Sequence, residues 1–222
     1  MLVLLVIAIS ISLLFVQQGY NLYQEAINKM SLEDKVQEVK GKENYTTISE
    51  MPPIYLEAVI SVEDHRFYQH SGIDLIAIGR AVVNDIKQMS FVEGGSTITQ
   101  QLAKNTYFTQ EKKIERKIAE VFMAFQYEKK YSKEEILELY LNTSYFGNGY
   151  HTVKEAANGY FGKKPKQMSD GESILLAGIP NAPANYNPKI NPELAKQRQR
   201  QVIQKMIKYN KLSEEQANKI LK

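Results

Sequence analysis

Lys112-Lys113-Ile114-Glu115-Arg116-Lys117-Ile118-Ala119-Glu120-Val121-Phe122-Met123-Ala124-Phe125-Gln126-Tyr127-Glu128-Lys129-Lys130 is the stretch that decides the fold class. It contains neither glycine nor proline and can be read by angle. At about 100° per residue, Ile114, Ile118, Val121, Phe122 and Phe125 fall in one narrow stripe, which is expected to face a core. Lys113, Arg116, Lys117 and Glu120 gather on the other side. That polar side fits two readings. One is a solvated face carrying an Arg116–Glu120 pair at i,i+4, worth a few tenths of a kcal/mol. The other is a site where crowded cations neutralise a departing diphosphate.

Outward from this helix the chain reads as helix after helix. Ile54 to Val62 follows Pro52-Pro53. Asp74 can cap a helix carrying Leu75, Ile78, Val82 and Ile86. Thr97 can cap a helix through Lys104, with Gln100 closing a capping box. Ser132 with Glu135, Ser169 with Glu172 and Ser213 with Gln216 mark three more starts. Alternating period-two runs are scarce, so the class is all-α. The organisation expected is an anchor over 1–20, a polar stalk over 21–50 with helix up to Lys42, and a folded domain over 51–222.

The chain has 222 residues, a net charge of +3 and no cysteine. It can build one sizeable domain besides the anchor. It can form no disulfide and no thiolate metal site. The mild basicity is too small to argue for nucleic acid, and none is expected as a partner. Leu2 to Val16 is apolar except for Ser10 and Ser12. Fifteen helical residues reach roughly 22 Å against a hydrocarbon core of roughly 30 Å. The tail through Tyr20, Leu22 and Tyr23 can complete the span, with tyrosines at the interface. No Lys or Arg precedes the run to set its orientation, and no small-x-small cleavage site follows it. A retained anchor is preferred over a cleaved signal peptide or a buried core helix.

Two polar clusters carry chemistry. Glu63-Asp64-His65-Arg66-Phe67-Tyr68-Gln69-His70-Ser71-Gly72 packs carboxylates, histidines and an arginine beside two aromatics. Gly94-Gly95-Ser96-Thr97-Ile98-Thr99-Gln100-Gln101 is a double glycine feeding a helix start, where backbone N–H groups and the helix dipole attract anions. Its spacing is not that of a P-loop. The segment 87–93 just ahead of it is expected to order with substrate. His65 and His70 stand roughly 140° apart on a helix, poor geometry for one metal. No Ser-x-x-Lys occurs, which excludes a penicillin-binding acyltransferase centre of that type within these residues. Behind a membrane anchor, the two clusters point to an enzyme with an anionic, lipid-linked substrate.

Taken in order, these motifs resemble a known set. Glu63-Asp64-x-x-Phe67-x-x-His70-x-Gly72, Gly94 to Gln101, Arg116-Lys117-x-x-Glu120, Ile136 to Asn142 with Phe146-Gly147, and Pro180-Asn181-x-Pro183-x-x-Tyr186-Asn187-Pro188 are similar to the motifs of the peptidoglycan glycosyltransferases (glycosyltransferase family 51). The resemblance runs from about Met51 to Pro188 and is to the monofunctional, membrane-anchored type.

The resemblance implies a lysozyme-like lobe and a small membrane-facing jaw lobe. It implies polymerisation of lipid II into β-1,4 glycan with release of undecaprenyl pyrophosphate, by a single inverting displacement. Glu63 would be the general base. Glu120 would help position the pyrophosphate, directly or through a divalent cation (Mg or Mn). Lys104, Arg116 and Lys117 match phosphate-contacting positions. Lys112 stands where relatives can carry arginine, and a lysine there loses the planar fork. Ser96, Thr97, Gln100, Gln101 and Asn181 would line the sugar and phosphate cleft, with Phe67 and Arg80 shaping it. The implied partners are lipid II, the growing lipid-linked glycan, the membrane and the cell-wall synthesis machinery, with the catalytic domain outside the cytoplasm. A muramidase or lytic transglycosylase would need no diphosphate site. A non-catalytic membrane scaffold would be expected to have lost the base or the cations.

Overall fold

A computed structural model of the chain describes residues 1–80, 95–109, 111 and 113–221. Lys112, Val82, Ile86, Gly94 and the segment 87–93 lie outside the described residues. Those described are helical and irregular, with no strand among them. The all-α class holds. The chain divides into two compact units, one of residues 1–38 and 70–136, the other of residues 39–69 and 137–222.

The first unit is built around the helix quoted above. Helix α1 spans Leu2–Lys29 and α2 spans Leu32–Lys40. After α3 (Pro53–Glu63), which belongs to the other unit, come α4 (Ile98–Tyr107) and α5 (Ile114–Lys130). Both α1 and α4 pack on α5. This double coverage corrects the angular reading. Ile114 is 59% exposed and Phe125 42%, while Ala119, Glu120, Met123, Ala124 and Tyr127 are buried. Leu102 and Ala103 of α4 are buried too. Small residues on α5 favour a close approach of α4. Ile118 and Phe122 of the apolar stripe are met by α1 instead, through Gly19, Tyr20 and Tyr23.

The apolar start of α1 shows its large side chains to the outside, Leu2, Leu4, Leu13 and Leu14 among them. The helix is long and apolar enough to cross a membrane. It runs unbroken past residue 20 to Lys29, about 42 Å at the rise of an α-helix. Nor does the stretch 21–50 hang free. Tyr23, Leu32, Val36 and Val39 are buried. Tyr107 donates its phenol proton to the Ser31 carbonyl at 2.9 Å. The polar side chains that gave this stretch the look of a stalk lie, up to Lys40, on two helices that also bury apolar ones.

The second unit has α3, α8 (Asp170–Gly178) and α9 (Pro192–Lys208) in mutual contact, after α6 (Lys133–Leu141) and α7 (Val153–Phe161); α10 (Glu214–Leu221) follows. Tyr55, Ala58 and Val59 of α3, Ile174, Leu176 and Ala177 of α8, and Val202, Ile203 and Met206 of α9 form its core. Residues 45–48 are strapped to α6. Thr46 exchanges two 2.8 Å hydrogen bonds with the Asn142 amide. Glu138 accepts from the Tyr45 phenol and from the Ile48 amide. The expected caps form in both units. Ser169 accepts from the Glu172 amide while Glu172 accepts from that of Ser169. Ser132 with Glu135 and Ser213 with Gln216 repeat the pattern.

Two expectations follow from this packing. A Cβ added at Gly19 would lie 2.5 Å from Ile118 Cγ2 and 2.9 Å from the Glu115 carbonyl oxygen. Gly19→Val should therefore lower the thermal stability of the detergent-solubilised chain by about 1–3 kcal/mol. Trimming Ile118→Ala should restore only part, because the carbonyl contact is backbone. Full restoration would show that α1 and α5 are not in close contact at this point. Separately, the buried Tyr55 hydroxyl has no hydrogen-bond partner among the described residues, whereas that of Tyr127 shares a 3.0 Å bond with Thr106. Urea titration should find Tyr127→Phe destabilised by about 1 kcal/mol and Tyr55→Phe unchanged or stabilised.

Candidate functional site

In the first unit Gly95 and Ser96 lead into the start of α4. The Thr97 hydroxyl accepts from the Gln100 amide at 3.1 Å, and Gln100 Oε1 accepts from the Thr97 amide at 3.0 Å. Thr97 also donates to the Gly72 carbonyl at 2.6 Å. Both side chains are buried. The Thr97 hydroxyl and Gln100 Oε1 are taken up by the cap, where they fix the start of the helix. Gly72 sits at φ +93°, where a side chain would be strained, and a Cβ added there would lie 3.4 Å from Ala124, Phe125 and Glu128.

Ser96, one residue before the cap, is brought to the polar side of α5. Lys117 Nζ donates to Ser96 Oγ at 2.5 Å and to Glu120 Oε2 at 2.8 Å. Arg116 Nη1 binds the other Glu120 oxygen, Oε1. One carboxylate, 1% exposed, is thus gripped by two cations on the preceding turn. The polar side of α5 is not a solvated face. It carries a buried acid paired through both oxygens, the arrangement that a buried carboxylate needs. The sum over the three charges is +1, and Lys117 keeps 43% of its side chain exposed with a third N–H to offer. The arrangement suits an anion arriving at Lys117 and Ser96.

A divalent cation on Glu120 does not fit this geometry. Both oxygens already have cationic partners, and a third positive charge would displace one of them. Among the described residues no group of three or more His, Asp or Glu side chains stands together to hold a metal ion. Gln101 and Lys104 lie half-buried along α4, and Arg80 is exposed.

A cavity of about 600 Å3 opens beside this cluster in the same unit. Gln18, Asn21, Leu22 and Glu25 of α1 line it together with Tyr107, Lys113 and Arg116, and two more carboxylates, Glu111 and Glu115, stand in the same lining. Its wall from α1 continues directly from the apolar membrane-length run. Arg116 therefore borders both the cavity and the buried carboxylate.

In the second unit Glu63 is the last residue of α3 and is half-buried. Asp64 caps the helix in a non-helical conformation, and its carbonyl accepts from the Phe67 amide at 2.9 Å. Phe67 is fully buried, with Tyr68 edge-on at 5.2 Å. It is a core residue that holds the turn after Glu63, not an open wall. The buried Tyr140 phenol of α6 is held well above its usual range, first by burial and then by the negative charge of Glu63. His65 stacks on Tyr209 with ring centres 4.2 Å apart, which gives it a packing role. Asn181 ends a short 3-10 turn, Ile179–Asn181, and is exposed.

Sequence reading gave two participants no role, Tyr140 standing there only as a letter of the Ile136 to Asn142 motif. Tyr140 lies far along the chain from Glu63, with no local signal linking them. The Glu128 carboxylate accepts from Thr99 at 2.6 Å and from Lys133 at 2.8 Å, tying α4 to the end of α5. The five-residue spacing of Glu128 and Lys133 across a helix break gave no pattern to find.

Residues 29–207 match the family model described as Transglycosylase. The chain is 46% identical over 157 residues to penicillin-binding protein 1F of Bacillus subtilis (strain 168), covering 71% of this chain and 22% of that protein. It is 43% identical over 175 residues to penicillin-binding protein 1A of Aquifex aeolicus (strain VF5), covering 79% and 24% respectively. A crystal structure of penicillin-binding protein 1A from Haemophilus influenzae aligns with TM-score 0.49 and 20% identity, over 80% of this chain and 17% of that one. The chain spans about a quarter of the length of the curated relatives it matches.

The geometry at Glu120 predicts a thermodynamic coupling. In a double-mutant cycle of unfolding free energies, Arg116→Ala with Glu120→Gln should show about 1–3 kcal/mol of interaction. Lys117→Ala with Glu120→Gln should show less, because the Lys117 side chain is 43% exposed against 14% for Arg116. Additive effects in both cycles would mean that Glu120 is not held by these cations.

Proposed function

We propose that this chain, which belongs to the transglycosylase family, polymerises lipid II into β-1,4-linked glycan and releases undecaprenyl pyrophosphate. The observation that carries this reading is the Ser96–Lys117–Glu120–Arg116 cluster. A diphosphate leaving group is already stable as an anion. It needs cations held ready rather than an acid to protonate it. Lys117 offers a charged donor on a partly exposed side chain, and Ser96 stands hydrogen-bonded beside it. Glu120 holds both cations in place before substrate arrives, so little reorganisation remains for the reaction itself.

The other half of the chemistry falls to Glu63. Its carboxylate takes the proton from the 4-hydroxyl of the incoming sugar as that oxygen bonds to the anomeric carbon. The bond from that carbon to the diphosphate oxygen breaks, with its electron pair leaving on the diphosphate. Attack opposite the leaving group turns an α link into a β link. The buried Tyr140 phenol beside Glu63 stays neutral and so adds no competing charge.

The apolar start of α1 would seat the chain in a membrane, with the rest of it outside the cytoplasm, where the cell-wall synthesis machinery works. A muramidase or lytic transglycosylase acts on neutral glycan and has no use for these cations. Retention of Glu63, Lys117 and Glu120 argues against a scaffold without activity.

The test is polymerisation of labelled lipid II by the full chain in detergent. Glu63→Gln should reduce the rate about 100-fold or more with an unchanged helical circular dichroism signal. Lys117→Ala should lose far more activity than Lys163→Ala, whose native lysine pairs with Glu172 at 2.8 Å. Undiminished strand growth by Glu63→Gln would end the assignment of the base. Equal losses at the two lysines would remove Lys117 from the diphosphate site. Shortening of pre-made glycan without growth would favour the lytic reading.

A further inference from the structure

A second cavity, of about 370 Å3, lies in the second unit and is lined by none of the residues assigned above. Its walls come from three separate segments: Tyr45 and Thr46, Lys154 of α7, and Lys164 to Gln167. The walls are fixed. Tyr45 and Thr46 are strapped to α6 through Glu138 and Asn142. Lys154 Nζ donates to the Glu43 carbonyl at 3.1 Å. Gln167 Oε1 accepts from the Lys164 amide at 3.2 Å and closes a short turn on the buried Pro165.

The charge is one-sided. Three ammonium groups line the cavity against one carboxylate, Glu50, which already accepts from the Thr47 amide and hydroxyl. No ion pair joins Lys154, Lys164 or Lys166 to an acid among the described residues. The buried Thr46 hydroxyl, on the same wall, has no hydrogen-bond partner among them. Elsewhere on this chain lysines pair readily, as Lys163 with Glu172 and Lys211 with Glu57. Scattered surface lysines would be unremarkable on a chain of net charge +3. Three left without acids around one rigid concavity, with a tyrosine ring among them, make an anion site with an apolar wall.

We propose that this cavity binds a short peptide bearing free carboxylates, the class of group found on the stem peptides that hang from the glycan of peptidoglycan. The choice of ligand rests on the polymerase reading above; the anion site itself does not. The volume is at the small end of ligand pockets, enough for a residue or two rather than a folded partner. Two carboxylates can each meet an ammonium group, and the aliphatic part lies along Tyr45. The site would hold a stem peptide by contacts separate from those that perform the transfer.

The test uses the full chain in detergent and a dye-labelled, N-acylated Ala-Glu-Ala-Ala peptide with both carboxylates free. Fluorescence anisotropy should report saturable binding that weakens as salt rises. The Lys164→Ala/Lys166→Ala double variant, altered only at exposed positions, should bind at least about tenfold more weakly. The diamide of the same peptide should fail to compete. Inorganic phosphate should displace the peptide no better than sodium chloride at equal ionic strength. Equal affinity in the double variant, competition by the diamide, or absence of binding would overturn the proposal. Displacement by phosphate at far lower concentration would replace the peptide with a bare anion and overturn it as well. The assay involves no turnover. If the peptide binds but lipid II is not polymerised, the proposed function falls and the pocket stands; the reverse outcome removes the pocket alone.

Discussion

A carboxylate buried on α5 is held through both of its oxygens by two cations of its own helix. Glu120 is 1% exposed, with Arg116 on one oxygen and Lys117 on the other. Removing a charge from water costs several kcal/mol unless it is paired and hydrogen-bonded. The pairing here is made within one helical turn, by residues three and four positions earlier, so α5 carries the whole group as a unit. What remains is to keep water off the carboxylate, and α5 itself cannot do that.

That requirement explains why the first unit is assembled as it is. With α1 on one side and α4 on the other, α5 is covered beyond the width of a single apolar stripe. Tyr20, Tyr23 and Phe122 make a three-ring contact with centroids 5.2 to 5.8 Å apart. Gly19 lets the two backbones approach at Ile118, as small residues do in membrane helix pairs. The membrane-length helix is therefore also a structural wall of the unit. Its lower part shields α5, and its upper part shows apolar side chains outward.

Local signals in the sequence were legible and non-local ones were not. Every cap read from a Ser or Thr followed three residues later by Glu or Gln is formed, because such a box depends only on four consecutive residues. The membrane-length helix was legible from composition, but its end was not. Beyond residue 20 the apolar content drops, and contacts with α5 and Tyr107 hold the helices there. The face of α5 was misread for a related reason. Angular analysis assumes one buried side, and α5 has two. Ile114 and Phe125 fall outside both contacts, while Glu120 falls inside one. Of the candidate site, the cations and the acid were legible as a group, since three- and four-residue spacing places them together. Ser96 joining Lys117 was legible only as a motif, because 21 residues separate them. Tyr140 beside Glu63 left no trace in the spacing at all.

Ser96 shows how the local and distant constraints combine. It precedes a buried cap whose Thr97 is tied to the Gly72 carbonyl and whose following residue but one, Thr99, donates to Glu128. Glu128 in turn holds Lys133. The loop end is thus fastened at two points, to the Gly72 carbonyl and to Glu128 of α5, both by residues that directly follow the one that meets Lys117. A hydroxyl on an untethered glycine loop would spend its hydrogen bond on water and would have to be ordered when an anion arrived. Here the ordering entropy is met during folding. The polar groups of α4 that look most like ligands, Thr97 and Gln100, serve this tethering. Ser96, their less conspicuous neighbour, is the one left to face the charge.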